Sequence, residues 1–151
     1  MSALAELYQS IILDHNRRPR NFGELADANR RAEGRNPLCG DTVVVFVRLE
    51  GERLAEVRFV GEGCAISKAS ASLMTASVAG KSVAEADALF ERVHDMMIGK
   101  ASAEGLGPLA ALAGVSRFPV RVKCASLAWH ALRNALHARA ADAPGATAST
   151  E

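Results

Sequence analysis

The stretch TVVVFVRLEGERLAEVRFV, residues 42–60, decides the fold. Residues 42–49 and 54–60 are rich in β-branched and aromatic side chains, and the residues between them, 50–53, contain a glycine. Two such runs around a short loop predict a β-hairpin. Because polar residues are mixed with apolar ones in the second run, we expect one face of the sheet to contact solvent.

Helical patterns flank this hairpin on both sides. Apolar residues at helical spacing predict a first helix that begins at Leu4 and ends near Arg18, because Pro19 disfavours helical backbone in the residue before it. Residues 64–79 are crowded with Ala and Ser and contain neither Pro nor Gly. They predict a tightly packed second helix that ends before Gly80, a residue suited to the position just past a helix.

A capping box, Ser82 with Glu85, predicts the start of a third helix. We expect its inner side to carry Leu89, Phe90, Val93, Met96 and Met97. The rest of the chain is predicted as a loop over 99–107, a short helix over 108–113 ended by Gly114, an extended segment over 117–122 and a last helix over 125–139.

Helices and hairpin strands in separate blocks predict an α+β fold. We expect a small antiparallel sheet of about three strands, the third a short edge strand within the polar segment 21–35, packed against several helices. Residues 1–140 are predicted to form a single domain. Residues 141–151 are small and polar, which predicts a disordered C-terminal tail.

Composition excludes several classes of function. The chain has 151 residues, a formal net charge of +1 and few aromatic residues, so neither nucleic acid nor an anionic membrane is an expected partner. No stretch has the apolar length of a membrane span, and the N-terminus lacks the pattern of a signal peptide. We therefore expect a cytoplasmic protein, in which an odd number of cysteines argues against a structural disulfide.

The three cysteines, Cys39, Cys64 and Cys124, are far apart in the chain and form no C-x-x-C pair. Spacing alone favours three buried free thiols, since cysteine is among the most buried residue types. The sequence around them favours metal binding instead. Gly40 and Gly63 let the backbone come close to a bound ion, and Cys64 and Cys124 are both predicted to open helices, where free N–H groups favour a thiolate.

Asp41 is the candidate for a fourth ligand. In an extended segment its side chain points to the same face as that of Cys39, two positions away. The alternative for a lone Asp before a strand is a turn cap. A tetrahedral Zn²⁺ bound by Cys39, Asp41, Cys64 and Cys124 satisfies the preference of zinc for sulfur and four ligands.

Charge near this site is also informative. Three thiolates and one carboxylate carry a formal charge of −4, which a divalent ion reduces to −2, and Arg121 and Lys123 place positive charge beside the site. The histidines, by contrast, lie in helical stretches without ligand partners at i+4 and are interpreted as surface or packing residues; they are His15, His94, His130 and His137.

Three segments resemble the metal-site segments of the IscU/SufU family (NifU N-terminal-like) of iron–sulfur cluster assembly proteins, in the same order along the chain. They are Asn-Pro-Leu-Cys-Gly-Asp at 36–41, Gly-Glu-Gly-Cys-Ala-Ile-Ser at 61–67 and Lys-Cys-Ala at 123–125. The N-terminal helix and the following loop are similar as well, through Leu-Tyr at 7–8, Ile-Leu-Asp-His at 12–15 and Pro-Arg-Asn at 19–21. The resemblance covers residues 4–136; one departure is Asn16, where many relatives have an aromatic residue.

Within this family the SufU branch is the more similar. Scaffold proteins of the IscU type carry a His immediately before the last cysteine, and here that residue is Lys123. The segment 97–115 resembles an insertion of SufU-like proteins before the last cysteine, and Phe-Pro-Val-Arg-Val-Lys-Cys at 118–124 looks like SufU as well.

The resemblance implies a zinc-dependent sulfurtransferase that serves a SufS-type, pyridoxal-phosphate-dependent cysteine desulfurase and downstream Fe–S assembly proteins. It implies Zn²⁺ on Cys39, Asp41, Cys64 and Cys124, with a His of the desulfurase replacing Cys39, which then accepts persulfide sulfur as a free thiolate. Arg121 would orient the site or dock the partner. Two alternatives remain: an IscU-like scaffold that assembles a [2Fe–2S] cluster on the same residues, and a zinc-stabilised adaptor without catalytic function.

Overall fold

The hairpin expected from residues 42–60 forms the centre of the sheet. The computed structural model describes residues 3–37, 40–137 and 147–149. Strand β2 (Asp41–Glu50) pairs antiparallel with β3 (Arg53–Glu62) on one side and with β1 (Arg30–Asn36) on the other. The predicted three-stranded antiparallel sheet and the α+β class are confirmed.

The two faces of the sheet differ in burial, as the mixed pattern of the second strand predicted. On β2, Val43, Val45 and Val47 are buried against the helices, whereas Thr42 on the opposite face is exposed. Side chains alternate between faces along a strand, so a single register of β2 fixes which residues enter the core.

A fourth, short strand joins the sheet at β1. Residues Thr147–Ser149 form β4, which pairs parallel with Glu33, Gly34 and Arg35 of β1, and gives the strand order β3-β2-β1-β4. The prediction of a disordered tail over 141–151 is thus wrong for 147–149, because the unpaired edge of β1 offers backbone hydrogen bonds that a composition argument ignores. The other residues of that predicted tail lie outside the described residues, and the 1–140 domain boundary stays a prediction.

The second and the last α-helix pack on the inner face of the sheet, while the first packs on the second and the third on the last. The described residues form four α-helices. They are α1 (Ala3–Arg17), α2 (Ala65–Val78), α3 (Val83–Met97) and α4 (Pro119–His137), with a 3₁₀ helix over Gly107–Arg117. Local signals set their ends as predicted: α1 ends before Pro19, Gly80 follows α2 with a φ of 82°, and Ser82 and Glu85 form the capping box of α3. No helix in the described ranges is long and apolar enough to cross a bilayer.

The region before the last helix differs from its prediction. Residues 117–122 were expected to be extended, but α4 begins at Pro119, and only Phe118 keeps an extended backbone at the junction. Proline fits the first turn of a helix, because its missing N–H has no partner to lose there. Gly114 does not end the preceding helix, which continues as 3₁₀ to Arg117.

Buried polar contacts fix α2 against α4. The Trp129 indole, which is fully buried, donates from Nε1 to Ser70 Oγ over 3.1 Å, and the Ser70 hydroxyl donates to the carbonyl of Ala125. Ala125 and Trp129 of α4 lie close in sequence to Cys124, and Ser70 lies six residues after Cys64. These contacts therefore hold two of the candidate ligands in one relative position.

Candidate metal centre

Asp41 lies at the start of β2 and is buried, with 1% of its surface exposed. Its Oδ1 accepts a hydrogen bond from the backbone N–H of Cys64 over 2.9 Å. It pairs across the sheet with Asn36, the last residue of β1. The carboxylate therefore points from the sheet toward the start of α2, and not outward as a simple turn cap would.

Gly63 makes room for this carboxylate. A Cβ atom built on Gly63 would collide with the Asp41 side chain, at Oδ1 and at Cγ, the latter 2.8 Å away. A glycine is required here by the close approach of a charged side chain. Its predicted role beside a bound ion stays a prediction.

Cys64 is the N-cap of α2, as the sequence predicted. Its sulfur accepts a hydrogen bond from the backbone N–H of Ser67 over 3.4 Å, and its thiol donates to Asp41 Oδ2 over 3.5 Å. The residue is exposed. An N-cap sulfur in contact with free helical N–H groups is placed to carry negative charge.

Cys124 is held differently from the prediction. It was expected to open the last helix, but α4 begins at Pro119, so Cys124 lies in the second turn. The residue is buried, and Asn36 Nδ2 donates to its sulfur over 3.7 Å. The free N–H groups of a helix start therefore do not act on this cysteine, and a side-chain amide takes their place.

The three residues converge. One ligand atom each of Asp41, Cys64 and Cys124 lies within 4.8 Å of the others, which makes them the one such group among the residues that the structure describes. Two thiols and a carboxylate suit Zn²⁺ in chemistry, and the space that Gly63 leaves for the carboxylate suits a compact ligand set. The donor set also suits iron, since cysteine thiolates hold Fe–S clusters.

The fourth predicted ligand, Cys39, lies outside the described residues, and its place in the site stays a prediction. The described residues on its two sides are joined by a hydrogen bond. The backbone N–H of Gly40 donates to the carbonyl of Asn36 over 2.9 Å, and Gly40 has a φ of 71°, which closes a turn between β1 and β2. Asp41 follows directly, so the turn begins and ends beside the other ligands.

Arg121 and Lys123 precede Cys124 on α4. Arg121 is exposed and its guanidinium stacks on the Phe118 ring, 4.7 Å from the centroid. It also lines a cavity of about 370 Å³ together with Tyr8, Ile12 and Ile66. Ile66 lies two residues from Cys64, so this cavity adjoins the ligand region; Arg121 as an orienting or docking residue stays a prediction.

The histidines take structural positions. His15 Nδ1 shares a hydrogen bond with Ser72 Oγ over 2.7 Å, and burial lowers the pKa of His15. Burial also lowers the pKa of His130, next to His94, and His137 pairs with Asp87 at 2.8 Å. The sequence analysis missed the amide of Asn36; its only signal was a place in the motif at 36–41.

The chain is similar to known proteins over most of its length. The model of the NifU-like N terminal domain matches residues 7–138. The chain is 44% identical over 131 residues to "Zinc-dependent sulfurtransferase SufU" of Bacillus subtilis (strain 168), covering 85% of this chain and 88% of that protein. It is 40% identical over 138 residues to "Iron-sulfur cluster assembly scaffold protein IscU" of Streptococcus pyogenes serotype M1, covering 90% and 86%.

A solved structure is similar over the same range. The crystal structure of an iron–sulfur cluster assembly scaffold protein for the SUF system from Fervidobacterium islandicum AW-1 has a TM-score of 0.81 and 35% sequence identity, and the match covers 87% of this chain and 97% of that one. With the family model spanning most of the chain, the chain belongs to the IscU/SufU family of iron–sulfur cluster assembly proteins.

Proposed function

We propose that this chain is a zinc-dependent sulfur acceptor in iron–sulfur cluster assembly. Zn²⁺ would be held by Cys39, Asp41, Cys64 and Cys124, and Cys39 would accept sulfur from a SufS-type cysteine desulfurase and pass it to downstream assembly proteins. The observation that carries the proposal is the convergence of a carboxylate and two thiols from three elements distant in sequence, within 4.8 Å of one another. When bound, zinc would keep its cysteine ligands deprotonated at neutral pH.

The transfer itself is a thiol–disulfide type of exchange. The thiolate of Cys39 attacks the terminal sulfur of the persulfide on the desulfurase cysteine, a new S–S bond forms, and the original S–S bond breaks. The desulfurase cysteine leaves as a thiolate and Cys39 becomes the persulfide. Electrons balance without an external oxidant or reductant, because the transferred sulfur keeps its oxidation state.

The positions of the cysteines favour Cys39 for this role. Cys124 is buried within α4, and Cys64 is tied to Asp41 and Ser67 at the start of α2. Cys39 lies outside the described residues; Gly40, which follows it in sequence, is a glycine in the left-handed region between β1 and β2. Attack on a partner's persulfide requires access, which a residue in the short connection between two strands offers more readily than one in a helix, and the proposal places Cys39 there.

Lys123 supports zinc over a cluster. The residue before the last cysteine is a His in scaffold proteins of the IscU type, and a Lys is a poor iron ligand at neutral pH. Lys123 is partly buried beside Cys124, where a positive charge balances the anionic ligand set. The sulfurtransferase relative of B. subtilis, at 44% identity, supports the same reading.

The test is the Cys39→Ala variant with a SufS-type desulfurase. We expect stimulation of alanine release to be lost, and the added sulfur atom that mass spectrometry finds on the Cys39 peptide of the natural chain to be absent. Asp87→Asn, which alters an exposed ion pair with His137, serves as the control and should stimulate normally. Normal stimulation by Cys39→Ala would refute the proposal.

The scaffold function remains the second candidate, because the IscU of S. pyogenes is 40% identical. Anaerobic purification with iron and a sulfur source separates the two. A coloured protein that transfers its cluster to an apo-ferredoxin supports the scaffold. A colourless protein with about one zinc per chain supports the sulfur acceptor.

A further inference from the structure

We propose that Asn36 is a positioning residue of the metal centre, whose side-chain amide donates an N–H to the Cys124 sulfur and fixes that sulfur as a permanent ligand. The inference rests on the metal binding in the proposed function and goes beyond its ligand set. Asn36 Nδ2 lies 3.7 Å from Cys124 Sγ, a distance suited to the large radius of sulfur. Asn36 is 1% exposed, so its amide is turned into the protein and away from solvent.

The chemistry of the sulfur decides which end of the amide faces it. A thiolate that ligates a metal has no proton and only accepts hydrogen bonds, so the amide presents its NH₂ group and not its carbonyl. An N–H beside a charged sulfur lowers the negative charge that the metal must balance. In metal sites, such outer partners orient the ligand and tune its strength.

Asn36 also connects Cys124 to the other ligands through the backbone. It ends β1, faces Asp41 across the strand pair, and accepts the N–H of Gly40 with its carbonyl. One residue thus contacts Asp41 across the strand pair, Gly40 through its carbonyl and the sulfur of Cys124 on α4. A change in the amide acts on Cys124, while the backbone contacts with Asp41 and Gly40 are kept by any residue that remains extended.

The hydrogen bonds that Ser67 and Asn36 donate to the two described cysteine sulfurs come from different kinds of donor. Cys64 Sγ accepts from the backbone N–H of Ser67, which no side-chain substitution removes, whereas Cys124 Sγ accepts from a side chain. The Asn36 donor can therefore be removed by substitution. Asn36→Leu removes the donor at similar size, and Asn36→Asp replaces it with an oxygen that repels the thiolate.

The chain offers a matched control in Asn29. Its amide donates to the carbonyl of Leu49 and its Oδ1 accepts the N–H of Leu49, at the opposite end of the β1–β2 pair. Asn29→Leu removes an asparagine with comparable strand contacts and leaves the ligands untouched. It should lower the melting temperature without changing metal binding.

The experiment compares the full-length chain and these variants by Co²⁺ spectra and by zinc competition with a chromogenic chelator. We expect Asn36→Leu to weaken zinc binding about 10- to 100-fold and to shift the sulfur-to-cobalt charge-transfer band, with a larger loss in Asn36→Asp. Natural affinity and an unshifted band in both variants would overturn the inference. If the natural chain itself gives no charge-transfer band, the metal centre and the proposed function fail instead.

A measurement on the natural chain covers the case in which neither variant folds. With ¹¹³Cd²⁺ bound, NMR should show scalar coupling between cadmium and a side-chain amide proton of Asn36, transmitted through the N–H···S contact. The side-chain amide of Asn29 should show none. A spectrum in which the Asn36 amide protons carry no coupling refutes the proposal without any substitution.

Discussion

Cys64 and Cys124 meet at one site, yet the fold holds their sulfurs by different means. Cys64 is exposed at the N-cap of α2, and its hydrogen bond comes from Ser67, three residues away. Cys124 is buried in the second turn of α4, and its hydrogen bond comes from Asn36, 88 residues away. The first arrangement is local and the second exists only in the folded chain, so the two should respond differently to substitution.

Replacement of each cysteine with Ala gives the largest contrast. Each variant removes a ligand. The zinc affinity of both should therefore fall by more than the roughly 10- to 100-fold expected when a residue that only hydrogen-bonds a ligand is replaced. Cys124→Ala should be the more destabilising of the two in the metal-free protein, by about 1–3 kcal/mol, since it leaves a buried amide without this acceptor. Cys64→Ala removes an N-cap, at about 0.5–2 kcal/mol.

Urea unfolding of both variants without metal measures the difference in the free energy of unfolding. If Cys64→Ala proves the more destabilising of the two, the buried contact between Cys124 and Asn36 does not stabilise the metal-free fold as proposed. Chelator competition on the same samples shows whether each ligand contributes to metal binding.

Gly63→Ala should disturb the Cys64 side of the site. The new Cβ would collide with the Asp41 carboxylate, so we expect zinc affinity to fall and the free energy of unfolding to drop by about 1–3 kcal/mol. Gly80→Ala is the control, because Gly80 has a φ of 82° and nothing within 4 Å of a new Cβ. That variant should lose stability but keep its metal affinity, and equal affinities in the two variants would argue against the predicted collision.

The parts of this site that the sequence revealed are the local ones. The hairpin, the N-cap at Cys64 and the capping box at Ser82 each depend on residues within a few positions, where backbone preferences dominate. The motif around residues 36–41 also pointed to Asp41 as a ligand, and the structure brings it to Cys64 and Cys124.

The parts of the structure that the sequence did not reveal depend on contacts between distant segments of the chain. Alternating Val120 and Val122 favoured an extended segment, but packing of α4 against the sheet and α2 selects a helix from Pro119. The pairing of residues 147–149 with β1 and the Asn36–Cys124 contact have no local signature either.

Ser70→Ala tests whether the packing of α2 on α4 sets the distance between Cys64 and Cys124. It removes the acceptor of the buried Trp129 indole, which should cost about 1–3 kcal/mol of unfolding free energy, with a smaller loss of zinc affinity than in Gly63→Ala. Ser77→Ala removes a hydroxyl that bonds only within α2, to Leu73, and should leave affinity unchanged. Unchanged zinc affinity in Ser70→Ala would mean that the ligands themselves set the distance between the helices.

The smallest expected effect concerns pH and the support of α2 by α1. His15 contacts Ser72 of α2, and burial, assisted by the charge of Arg20, lowers the pKa of His15 below its ordinary value of 6.5. The folded state therefore prefers the neutral ring, and its contribution to stability is present above pH 6.5 and lost as the pH falls below it. Melting temperatures of metal-free protein between about pH 7.5 and 5.5 should fall less steeply in His15→Gln than in the natural chain. Metal-free samples are required, because acid also protonates the cysteine ligands and so releases the metal.

If the melting temperatures of the two proteins fall equally with pH, the contact between His15 and Ser72 does not make the stability of the protein depend on pH.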